Sequence, residues 1–122
     1  MPSASDGAVA ERGGVGALLD MALGFCVWAA HLLTVYIAAA LACAFELVAP
    51  AGRGAVGLLT LLVGVTVVAA GAAVWHGLRR WRGRASPGMT PFRARLTVGA
   101  DAIATLAIVW QGFAFALIPA CV

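Results

Sequence analysis

The residues of this chain that could do chemistry sit inside long apolar runs. Trp28, His31, Tyr36, Cys43 and Glu46 share one such run. At the ~100° per residue of an α-helix they fall within an arc of about 140°, and Cys26 lies off it. A polar stripe on a membrane helix has to face protein or a cavity, because an unpaired polar group in hydrocarbon is costly. His31 falls near the middle of the run. An ionisable side chain there is a candidate for haem or copper ligation, proton relay or quinone contact, with His31 and Tyr36 as the contact residues. A neutral imidazole bonding across a helix interface is the plainer alternative. No Cys-x-x-Cys or second nearby histidine accompanies His31, since His76 belongs at the edge of a different run. A metal site is not expected, nor a bound cofactor.

A later run carries Thr97, Asp101, Thr105 and Gln111 on a face of about 120°. Asp101 is expected to pair with Arg95 or with an arginine of a partner, or to stay neutral. Counted from the helix midpoints, Tyr36 and Gln111 come level, which predicts a hydrogen bond between them. His31 and Asp101 are offset by about four residues, or ~6 Å of helix rise, so contact through Thr105 or water is expected. No nucleophile–base pair is present, and the chain is not expected to be an enzyme.

The elements that position these groups follow from composition. The chain has 122 residues, 63% of them apolar and 11% charged, and a mean hydropathy of +1.00. That lies outside the range of soluble globular domains. Met21–Phe45 and Gly54–Leu78 contain no formal charge, and Leu96–Ile118 contains only Asp101. Crossing a bilayer takes ~20 apolar residues. The fold class is therefore an all-α integral membrane protein with three transmembrane helices. A cleaved signal peptide is disfavoured as a reading of the first run, because Asp6, Glu11 and Asp20 precede it and it exceeds the ~7–15 residues of a signal core.

Arg79, Arg80, Arg82, Arg84, Arg93 and Arg95 are six of the chain's eight basic residues. They flank one short loop, and such loops stay on the cytoplasmic side. This anchor predicts a multi-pass protein of a bacterial inner membrane, N-terminus in and C-terminus out. It also accounts for the net charge of +3 without a nucleic-acid partner, while favouring contact with membrane lipid.

The expected organisation is a disordered cytoplasmic tail over 1–14, a first helix over 15–49 and an outer loop over 50–53. A second helix follows over 54–78, then the arginine-rich loop over 79–91, a third helix over 92–118 and an outer tail over 119–122. Thr90-Pro91-Phe92 reads as an N-cap with proline in the first turn. Gly57, Gly64 and Gly71 recur every seven residues, line one face of the second helix and mark it for helix packing. Cys43 and Cys121 both fall at the outer boundary, where an oxidising compartment permits a disulfide. Cys26 is expected to be free.

The segment Trp28-Ala29-Ala30-His31-Leu32-Leu33-Thr34-Val35-Tyr36, with Ala40-Leu41-Ala42-Cys43 after it, resembles a group of small uncharacterised proteobacterial membrane proteins. Phe92-Arg93-Ala94-Arg95-Leu96, Trp110 and the closing Pro119-Ala120-Cys121 carry the same resemblance. Those proteins are often encoded beside haem–copper cytochrome c oxidase genes. The resemblance implies a non-catalytic accessory or assembly role beside such an oxidase, with other membrane subunits as partners. Two alternatives stay open: a small haem-, copper-, proton- or quinone-contacting protein centred on His31, and a small transporter working as an oligomer.

Overall fold

The computed structural model describes residues 4–47 and 52–117, with side chains described from residue 14 onward. It is all-helical. Helix α1 runs Ala4–Ala44, α2 runs Arg53–Arg82 and α3 runs Pro91–Leu117, with a short 3-10 turn at Gly83–Ala85. Three helices are long and apolar enough to cross a membrane: Gly14–Ala44, Arg53–Ala85 and Pro91–Leu117. An α-helix satisfies its backbone groups internally, which is what a bilayer demands of any spanning segment.

Helix α1 begins at Ala4, well before Val15, so residues 4–13 are helical where a disordered tail was expected. Alanine, glutamate and arginine are strong helix formers, and in Ala8-Val9-Ala10-Glu11-Arg12 they outweigh the two glycines that follow. Helix α2 continues past Leu78 to Arg82, placing Arg79, Arg80 and Arg82 in its last turn. Cations there complement the carbonyl end of the helix.

The end of α1 has a specific geometry. The Leu47 N–H donates to the Ala42 carbonyl at 3.0 Å and the Glu46 N–H to Cys43 at 3.2 Å. This is the paired pattern of a Schellman motif, with Glu46 in the left-handed position at φ 51°. The α2–α3 corner closes through a turn in which the Met89 N–H donates to Ser86. Gly88 supplies the required positive φ of 86°. Thr90 then caps α3: its Oγ1 accepts from the Arg93 N–H at 3.2 Å.

Buried positions follow three- and four-residue spacings on α3 and four- and seven-residue spacings on α1. On α3 they are Ala94, Thr97, Asp101, Ala104 and Ile108. On α1 they are Asp20, Gly24, His31, Val35 and Ala42. This alternation keeps one narrow seam facing the neighbours over a long, shallow crossing. The pairs that touch give the register. Asp20 and His31 of α1 meet His76 and Thr66 of α2, so α1 and α2 run antiparallel. His76 meets Asp101, and Thr66 lies against Gly112, so α3 is antiparallel to α2. Outside the seam the bundle is apolar and exposed, as at Leu18, Val68, Leu106 and Trp110.

Close approach depends on three glycines, and they are not the spaced trio. A Cβ on Gly24 would collide with Oδ1 of Asp101 and lie 3.1 Å from its Cα. On Gly77 it would lie 3.3 Å from the Asp101 side chain, and on Gly112 it would meet Thr66. Gly57, Gly64 and Gly71 have nothing within 4 Å of such an atom. Within one chain, then, the stripe is not where helices meet.

Candidate functional site: a charged cluster joining three helices

Asp20 on α1, His76 and Arg80 on α2, and Arg93 and Asp101 on α3 converge at the arginine-rich end of the bundle. Heptad-like spacing carries each inward: Asp20 lies four residues before Gly24, and Asp101 sits midway along the α3 seam. Nδ1 of His76 lies 2.7 Å from Oδ2 of Asp101, and Nε2 lies 3.2 Å from Oδ1 of Asp20. Asp20 also pairs with Arg80 through the same oxygen, and its Oδ2 takes Arg93 Nη2 at 3.4 Å. Asp20 is 6% exposed and Asp101 3%.

An imidazole placed between two carboxylates imposes a proton condition. Ionised carboxylates only accept, so both ring nitrogens must carry hydrogen, or one carboxyl must hold a proton. Either way His76 bridges α1 and α3 through α2. The two guanidinium groups supply positive charge beside Asp20, which is what permits carboxylates in a poorly hydrated seam. Asp101 Oδ1 has no hydrogen-bond partner. It faces the Gly24 backbone, which is why α1 can carry no side chain there.

Asp101 is therefore bonded to His76, whereas Arg95, one of the partners expected for it, is exposed. Thr105 Oγ1 donates to the Asp101 carbonyl at 2.7 Å, a bond within one helix turn, and does not link to His31. Thr97 is buried, and its hydroxyl has no partner.

The second polar contact lies deeper. Thr66 Oγ1–H donates to the Leu62 carbonyl at 2.8 Å. That uses its only hydrogen, so His31 Nε2–H must be the donor in the 3.0 Å contact with Thr66 Oγ1. In the neutral imidazole Nδ1 of His31 is then a bare acceptor, and it is buried and unpartnered. His31 is only 2% exposed and borders an open groove between α1 and α2 of about 770 Å³, which Gly57 and Gly64 also line.

The remaining expected site residues are scattered. Tyr36 is 60% exposed and packs edge-on against Phe115 at 5.7 Å between ring centres. Among the described residues it has no hydrogen bond to Gln111, which is half-buried. Trp28 and Cys43 are half-buried, and Glu46 is exposed beyond the helix end. Cys26 is a free, exposed thiol. Cys43 is engaged, but its expected partner Cys121 lies outside the described residues. No group of three metal-ligating side chains suited to a metal ion occurs among the described residues.

Sequence reasoning missed two site residues: His76, left at the edge of the second run, and Asp20. Asp20 borders the charge-free run and reads as a flank. Extending the seam spacing backward from His31 through Gly24 reaches it. Compared with protein-family models, curated proteins and solved structures, the chain matches none.

Proposed function

We propose that this chain is a non-catalytic accessory or assembly protein that packs against larger membrane subunits, in the setting of a haem–copper oxidase of a bacterial inner membrane. One observation supports it most: the interior polar groups are largely engaged in holding three helices together, while the outer faces present large apolar side chains. His76 has both nitrogens on carboxylates, and the described helices carry exposed Phe25, Leu33, Val67, Ile103, Trp110 and Phe113. Small bundles of this kind associate through packing of exposed faces, and small residues favour close contact. The open stripe of Gly57, Gly64 and Gly71 is the face offered to a partner helix.

The orientation in this reading is N-in, C-out, set by the arginine-rich corner. Fusions at the C-terminus test it: active alkaline phosphatase with dark green fluorescent protein is expected, and the reverse pattern overturns it. Affinity purification in mild detergent with mass spectrometry tests the partner. Enrichment of oxidase subunits is expected, and their reproducible absence refutes the oxidase setting.

A second reading has a specific observation behind it. Asp20, His76 and Asp101 form a continuous hydrogen-bonded line across the three helices, the arrangement of a short proton relay. It moves the centre of that alternative from His31 to His76.

A further inference from the structure

Beside the charged cluster, and sharing Arg80 and Arg93 with it, the α2–α3 corner forms an open polar pocket of about 340 Å³, lined by Arg79, Arg80, Gly83, Ser86–Met89 and Arg93. We propose that this pocket binds the phosphate of an anionic lipid headgroup. Three guanidinium groups border it, and no carboxylate does. The nearest anion is Asp20, which pairs with Arg80 and Arg93 from the helix side and is shared with His76. The pocket thus holds positive charge that the protein does not neutralise.

Two features make it a built site and not a loose basic surface. Arg80 and Arg93 are half-buried and held in place by Asp20. The loop wall is fixed by the Ser86–Met89 turn, whose Gly88 adopts φ 86°. Pre-placed guanidinium forks suit phosphate oxygens, which accept from them in pairs. The chemistry alone fits a lipid phosphate or free phosphate. The position, at the end of three candidate spans beside Trp81, favours the headgroup, as in basic pockets between membrane helices generally. The inference rests on the membrane reading of the chain and not on its partner.

The test uses the full chain, purified alone in neutral detergent. Phosphatidylglycerol and phosphatidylcholine are titrated by native mass spectrometry, each with and without inorganic phosphate. Arg79 is exposed and outside the Asp20 pairs, so Arg79→Gln leaves the fold intact, which circular dichroism checks. Arg82→Gln and Arg84→Gln remove charge from the same corner outside the pocket. Preferential binding of phosphatidylglycerol is expected, weakened about fivefold or more by Arg79→Gln, the effect of removing one basic residue near an anionic site, and less than twofold by the controls. Competition by millimolar phosphate identifies the phosphate group itself as the ligand, and lack of competition identifies the whole headgroup. Equal weakening by all three variants, or no preference between the lipids, overturns the pocket. Because no partner is present, these outcomes are independent of the oxidase proposal.

Discussion

His76 Nδ1 and Asp101 Oδ2 lie 2.7 Å apart across the α2–α3 interface, and this bond passes between two glycines that leave room for it. Gly77 stands on the same helix as the imidazole, and Gly24 approaches the carboxylate from α1. The polar contact and the close packing are therefore one feature. A side chain at either glycine would push the helices apart where the charges need to meet.

That coupling sets an order of sensitivity. Gly24→Ala should destabilise by about 1–3 kcal/mol, the cost of forcing atoms into a packed interface. Gly77→Ala should cost less, since its nearest neighbours lie at 3.3 Å and a small shift relieves them. Gly64→Leu should stay within about 0.5 kcal/mol in the isolated chain, as for surface positions generally. Unfolding in mixed detergent micelles measures all three. A Gly64 variant as damaging as the Gly24 variant would contradict the assignment of the stripe to an external face.

His31 is a helix-packing donor in this structure, so its replacements divide by hydrogen-bonding capacity. His31→Gln should be tolerated, because an amide N–H can reach Thr66 Oγ1. His31→Leu and Thr66→Val should each cost about 0.6 kcal/mol and at most about 1.7, the average and the upper end for such bonds between membrane helices. Equal loss of oxidase activity in the glutamine and leucine variants, at normal abundance, would favour a relay or ligand role instead.

Glu46 holds a conformation at φ 51° that suits glycine. Glu46→Gly should stabilise the chain by about 1 kcal/mol, because the left-handed C-terminal position penalises a Cβ. A thermal unfolding midpoint unchanged or lowered would show that the motif is not formed.

Cys43 and Cys121 are predicted to be bridged in protein isolated without reductant. Denatured, unreduced protein should then expose one thiol, Cys26, and reduction should expose all three cysteines. Three free thiols before reduction would rule the bridge out.

Much of the architecture was legible in the sequence, and the reasons differ by element. Long uncharged runs announce spans because a bilayer tolerates little else, and Thr90-Pro91 announced the start of α3 through capping chemistry. The site was only half legible. Asp101 is conspicuous inside a run, but its partner could not be read, because His76 lies beside four arginines that make it look like part of a solvated end. Asp20 was hidden for the same reason: a charge next to a run reads as a boundary, and only the seam spacing through Gly24 and His31 turns it inward. The glycine trio shows the limit of periodicity. Even spacing tells that Gly57, Gly64 and Gly71 share a face, but not whether that face meets this chain's helices or another's. Counting from helix midpoints does not pair Tyr36 with Gln111, because the register is offset: Asp101 packs at Gly24 and Phe115 at Tyr36, which leaves Gln111 about a turn from the level of Tyr36.

The central claim is that the Asp20–His76–Asp101 line is a structural join and that the chain acts by association. The most direct measurement is a paired assay of the His76→Gln, Asp101→Asn double variant. Neutral amides of similar shape can keep a hydrogen bond between α2 and α3 but do not exchange protons as an imidazole and a carboxyl do. Abundance, co-purifying oxidase subunits and oxidase activity are measured together against the unaltered chain. All three should stay within about twofold, a change that corresponds to less than the ~1.4 kcal/mol of a tenfold effect. A folded, normally abundant variant that still co-purifies with its partners yet abolishes oxidase activity would contradict the account and make the line a proton path.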